Sequence, residues 1–152
     1  MSLTLSRARI VCVALTVVAS WYSPAAVSAV DEQLRCLAQN IYHEARGEQE
    51  AGQLAVAAVT LNRVRSPYYP NTVCEVVWQP WQFSWTRAYP EFERVNPRAW
   101  NKAWRIARLA LRGRHPPGIG RATHFHAHEV QPEWSVGVRP LSRIGRHVFY
   151  AL

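Results

Sequence analysis

The 152-residue chain has a single aspartate, Asp31, no CxxC pair and no HExxH motif. Without CxxC, the common zinc-ribbon and thioredoxin-type readings fall away. Without HExxH, so does the helical zinc-protease reading. No internal repeat or low-complexity stretch is present, which excludes solenoid and array architectures. The apolar run from Ile10 to Val18, broken only by Thr16, is shorter than the about 20 residues that span a bilayer comfortably. It follows Arg7 and Arg9 and precedes the small residues Val27-Ser28-Ala29. This is the layout of an export signal. Residues 1–29 are therefore expected to be a signal peptide cleaved near Ala29, with an uncleaved anchor as the alternative. Cys12 lies inside the run without a lipoprotein sequence before it. Residues 30–152 have the length of one domain with its own core.

What is present is positive charge. The formal net charge is +8, and a cleaved signal would carry off Arg7 and Arg9 to leave +6. Cationic surfaces attract anionic polymers. Export to the periplasm, cell envelope or outside makes a cell-wall glycan with acidic stems, or an anionic lipid, the expected partner rather than nucleic acid. Cys36 and Cys74 remain after cleavage, and a lone pair in an oxidising compartment is expected to form a disulfide. Such a bridge would stabilise the fold by roughly 3–4 kcal/mol in the chain-entropy model. Two buried free thiols are the alternative.

Leu34, Leu37, Ala38, Ile41 and Tyr42 recur at spacings of three and four, predicting a first helix capped by Asp31 and ended by Gly47. A second helix is expected from about Glu48–Ala51 to Val64, stopped by Ser66-Pro67. A third enters at Asn96-Pro97 and runs to Gly113. Between them, residues 67–97 are rich in proline and aromatics, including Tyr69, Trp78, Trp81, Phe83, Trp85, Tyr89 and Phe92. This segment reads as an ordered, groove-lining excursion with a strand at Gln82–Thr86. Ala122–Ala127 and Gly145–Tyr150 read as two further strands. Helices beside a small antiparallel sheet make an α+β domain.

Glu44 ends the first apolar helix, where a half-desolvated carboxyl can keep its proton near neutral pH and serve as a general acid. Glu48 competes, but it stands at the start of the next helix, where its charge serves the helix dipole.

The run Asn40-Ile41-Tyr42-His43-Glu44-Ala45-Arg46-Gly47-Glu48, followed by Gly52–Ala57 and Leu61-Asn62-Arg63-Val64, resembles the SleB-type cell wall hydrolases, the spore cortex-lytic enzyme family. The likeness continues in Tyr69–Thr72, Gln82-Phe83-Ser84-Trp85, Ala122–His126 and Ile144–Tyr150, in order through the chain past its first 29 residues. The resemblance implies a lysozyme-like α+β domain with about three main helices. It also implies cleavage of peptidoglycan between N-acetylmuramic acid and N-acetylglucosamine, with Glu44 as the key acid and no required cofactor or metal. The characterised members resemble lytic transglycosylases. The scarcity of other well-placed carboxylates agrees with a one-acid mechanism, because ordinary glycosidases need two.

Gln82, Ser84 and His126 are expected to bond sugar hydroxyl and acetamido groups, and Tyr42, Phe83 and Trp85 to lie against sugar faces. For each aromatic, core packing is the competing role. Arg46 is expected to orient Glu44 or bind a stem-peptide carboxylate, or else to act as a helix C-terminal cation. Asn62 is expected to tie down backbone. The partner is then peptidoglycan, met by a monomer. His124, His126 and His128 share a face if they lie in a strand, so a metal-dependent hydrolase is a rival reading. A non-catalytic glycan-binding module is another.

Overall fold

The computed structural model describes residues 24–88 and 96–152. The expected export signal, Cys12, Tyr89 and Phe92 lie wholly or mostly outside them. Three long helices carry the core. The first, α1 (Pro24–Ala45), buries Leu34, Leu37, Ala38, Ile41 and Tyr42 on one stripe. It starts earlier than predicted, so Asp31 lies exposed within it instead of capping it. Pro24 suits a first turn, and Ala25, Ala26 and Ala29 favour helix. The second, α2 (Glu50–Arg65), is buried nearly all round, as a helix at the centre of a domain must be.

In the short α3 (Val73–Val77), Thr72 accepts the Glu75 N–H at 3.2 Å and donates its hydroxyl to the Glu75 carboxylate at 2.7 Å. That pair is a helix-start signal in the sequence. Cys36 and Cys74 are disulfide-bonded, tying α1 to α3. The expected strand at Gln82–Thr86 is instead a turn that opens α4 (Trp85–Ala88), closed by the Thr86 N–H on the Phe83 carbonyl. Phe83 and Trp85 are both buried, so the alternation that suggested a strand reflects two anchors. No partner strand adjoins them among the described residues.

The helix α5 (Pro97–Leu111) begins as predicted, with the Asn96 side chain accepting the Ala99 N–H at 3.0 Å. It packs across α1 and α2. The sheet has the order β1-β3-β2, all antiparallel, from β1 (His124–Ala127), β2 (Ser142–Ile144) and β3 (His147–Tyr150). Its β1 and β3 are trimmed versions of the predicted strands, and β2 was not anticipated. Phe149 and Ala122 pack against Ala55, Ala58 and Val59 of α2, while Phe125 touches both this cluster and the main helical core. Asn62 donates to the Ala122 and Gly120 carbonyls at 2.9 and 3.1 Å, the backbone-tying role expected for it.

Candidate active site

Glu44 sits in the last turn of α1 and lines a cleft of about 200 Å³ with Arg63, Gln82, Phe83, Ser84 and Phe125. The α1 stripe packs into the core and leaves its final turn at the surface, so Glu44 is half-buried. Burial pushes its pKa from 4.5 up to about 7, against an opposing pull from Arg63. The carboxyl is thus protonated in a large fraction of molecules at neutral pH, the state a general acid requires. A larger hollow of about 540 Å³ between Arg65, Tyr68, Arg121 and Leu152 carries no carboxylate side chain, and its chemistry is correspondingly poorer.

Sequence reasoning did not single out Arg63. Its side chain leaves the buried face of α2 at 3% exposure, donates Nε–H to the Thr123 carbonyl at 2.7 Å, and lies over the rings of Tyr69 and Phe83. Its Nη1 is buried without a hydrogen-bond partner. Burial lowers the pKa of Arg63, while Tyr69 and Glu44 act to raise it. The signal was visible: an arginine in register with Val56, Val59 and Thr60 on an otherwise apolar face. Buried charge in that setting needs a local partner.

Of the residues expected to meet substrate, Gln82, Phe83 and Ser84 do line the Glu44 cleft. Tyr42 does not: it is 1% exposed, and its hydroxyl accepts the Asn96 N–H at 3.1 Å, fixing the start of α5. Trp85 is likewise interior, stacked on His43 at 4.4 Å with its indole N–H on Asn40. Arg46 is exposed, its guanidinium carbon 5.2 Å from the Tyr42 ring centroid. His126 lies off the cleft lining, stacked on Tyr150 with Nε2 and the phenol oxygen 2.9 Å apart. Burial, then Arg63, lowers the pKa of His124, and its Nδ1 meets the Thr123 hydroxyl. His128 meets the Arg146 carbonyl. Among the described residues no three His, Cys, Asp or Glu side chains converge to hold a metal ion.

Glu48, the rival acid, is buried outside the cleft. Its carboxylate accepts the backbone N–H of Arg146 at 3.3 Å and the Arg146 Nε–H at 3.1 Å. Its carbonyl accepts from Gln53 and Lys102.

The fold is that of the SleB catalytic domains. The catalytic domain of the Bacillus cereus SleB protein superposes with a TM-score of 0.68 at 30% identity, covering 88% of this chain and 95% of that one. The catalytic domain of the germination-specific lytic transglycosylase SleB from Bacillus anthracis gives the same score and identity, covering 88% and 100%. The spore cortex-lytic enzyme of Bacillus subtilis strain 168 is 34% identical over 119 residues, 78% of this chain and 37% of that protein. The spore cortex-lytic enzyme of Halalkalibacterium halodurans is 35% identical over 119 residues, 78% of this chain and 34% of its own length. This chain thus spans about a third of those two relatives. The cell wall hydrolase family model matches residues 47–150, and the chain belongs to that family. The match opens three residues past Glu44.

Proposed function

We propose that this chain is an exported enzyme that cleaves the peptidoglycan backbone between N-acetylmuramic acid and N-acetylglucosamine as a lytic transglycosylase, with Glu44 as acid and then base. One observation carries the reading: a half-buried glutamate with a pKa near 7 is the sole carboxylate lining the cleft among the described residues. Hydrolysis by the common two-carboxylate routes needs a second carboxyl roughly 5–10 Å away. Membership of the cell wall hydrolase family supports the substrate.

In the proposed reaction, Glu44 gives its proton to the glycosidic oxygen as the bond from that oxygen to the muramoyl C1 breaks. The N-acetylglucosamine leaves with its 4-hydroxyl restored. The Glu44 carboxylate then takes the proton of the muramoyl C6 hydroxyl while that oxygen bonds to C1. A 1,6-anhydro sugar results, no water is consumed, and Glu44 ends protonated. Arg63 steadies the carboxylate between the two transfers, and Gln82 and Ser84 offer hydrogen bonds to sugar substituents.

Mass spectrometry of the soluble products released from purified peptidoglycan tests this, with Glu44→Gln in parallel and with chelator present or absent. Anhydro-muropeptides that vanish in Glu44→Gln and ignore chelator are expected. Reducing-end products would replace transglycosylation by hydrolysis. Chelator-sensitive peptide cleavage would point to the histidines of β1, and no release at all to a binding module.

A further inference from the structure

Gln79, Pro80, Trp81 and Gln82 form a tight turn, closed by the Gln82 N–H on the Gln79 carbonyl at 3.1 Å. Pro80 fills the second position, which its fixed φ suits. Trp81 fills the third with φ +67°, where turns of this form take glycine or asparagine. Among the described residues it is the one non-glycine with a positive φ. A bulky side chain there is strained, and such strain clusters at ligand-binding sites.

The core gives nothing in return, because Trp81 is 79% exposed. Its neighbour is Arg87 of α4, whose guanidinium carbon stands 4.5 Å from the ring centroid. A cation over one face fixes the indole and leaves most of the ring open. The next three residues, Gln82, Phe83 and Ser84, line the Glu44 cleft. A glycan strand threaded through that cleft carries further sugars on both sides of the cleaved bond. A flat, oriented, apolar surface one residue outside the lining is what the next pyranose face would meet.

We propose that Trp81, steadied by Arg87, is a sugar-stacking platform at the mouth of the cleft, a subsite that grips the peptidoglycan strand beyond the two sugars at the scissile bond. This rests on the glycan-cleaving reading above and assigns Trp81 to strand retention, with no part in bond breaking.

Trp81→Gly and Trp81→Phe, each in a Glu44→Gln background, test it by co-sedimentation with purified sacculi and with phosphatidylglycerol vesicles, alongside thermal melting. Trp81→Gly is expected to weaken sacculus binding about tenfold, the scale of one lost ring contact, while Trp81→Phe retains most of it. Because glycine accepts φ +67° without strain, Trp81→Gly should melt no lower than its parent. Unchanged sacculus binding by Trp81→Gly would overturn the proposal. So would loss confined to the vesicles, or lowered melting with no rescue by phenylalanine. Failure of the glycan-cleaving reading is separate: wild-type chain would release no glycan products, whatever Trp81→Gly does to binding.

Discussion

Arg63 donates its Nε–H to the Thr123 carbonyl at 2.7 Å, and this bond holds the guanidinium of a helix against the end of β1, beside the cleft that Glu44 lines. The cation is buried with Nη1 unpartnered, and its field opposes the effect of burial on Glu44. Two consequences separate a positioning role from a merely structural one.

If protonated Glu44 is the active form, the rate falls as pH rises through about 7. Removing Arg63 leaves burial unopposed, so the pKa of Glu44 rises and the alkaline fall moves to higher pH. Arg63→Met should therefore displace the limb upward. It should also lower the plateau rate by on the order of tenfold or more, because the carboxylate formed on proton transfer loses its cation. Arg63→Lys should restore the limb in part. Loss of the bond to Thr123 costs about 1–3 kcal/mol of stability in either variant. A pH–rate profile with a melting curve for each variant separates these effects, and a limb that stays put in Arg63→Met would leave Arg63 a structural residue.

Glu44 also makes stability depend on pH. Its folded pKa of about 7 lies above the ordinary 4.5, so between those values the folded state binds more protons than the unfolded. The Glu44 contribution to stability should fall as pH rises through that window and level off above it. The ceiling on this loss is on the order of 3 kcal/mol, and residual solvent contact reduces it. Partly buried His43, His124 and His147, whose pKa values burial lowers, act the other way in both proteins, so the readout is the difference between them: by urea denaturation, Glu44→Gln should gain stability relative to wild type between pH 5 and pH 8.

The helical core was legible because α1, α2 and α5 announce themselves by apolar spacing and by the Asn96-Pro97 entry, signals local to each segment. The Glu44 cleft was legible in part for the same reason, through the helix end and the Gln82–Ser84 motif. What failed was decided by tertiary neighbours. Phe83 and Trp85 alternate like strand residues, yet each is buried against the helices and no strand lies alongside. Tyr42 shares the helix-end motif with Glu44 but points the other way, into the core, a difference of two residues on a helix. Arg63 became meaningful only once α2 proved to be buried around its circumference.

The Cys36–Cys74 bridge closes a separation of 38 residues and joins α1 to α3. Chain entropy gives it about 3–4 kcal/mol. The neighbouring Cys74 N–H also donates to the Gln33 side chain at 3.1 Å, so α3 stays partly attached after reduction. Cys36→Ser/Cys74→Ser should lower the unfolding free energy by that amount while leaving the Glu44 cleft intact. Denaturation with and without reductant should show the same loss in wild type and no further loss in the double variant.

Glu44 and Glu48 can be told apart by what each loses on substitution. Glu48 lies beside two glycines: a Cβ at Gly52 would stand 2.9 Å from its own, and a Cβ at Gly145, where φ is +58°, would fall on its Oε2. Its carboxylate joins the α1–α2 turn to the β2–β3 hairpin through Arg146. Arg146 is largely exposed, so water can solvate the guanidinium that Glu48→Ala would leave, and the cost should be about 1–3 kcal/mol, the scale of a buried hydrogen-bonding site lost. Gly145→Ala should destabilise through the same contact and through its backbone. The double variant should cost less than the two singles together, because removing the Glu48 side chain relieves the collision and leaves only the strain at φ +58°. Activity per folded molecule should persist in Glu48→Ala, measured well below its melting temperature. Glu44→Gln should do the reverse, holding its fold and losing about a thousandfold or more in rate with its proton donor. A Glu48→Ala protein that is stable yet inactive would move the acid from the end of α1 to the turn that follows it.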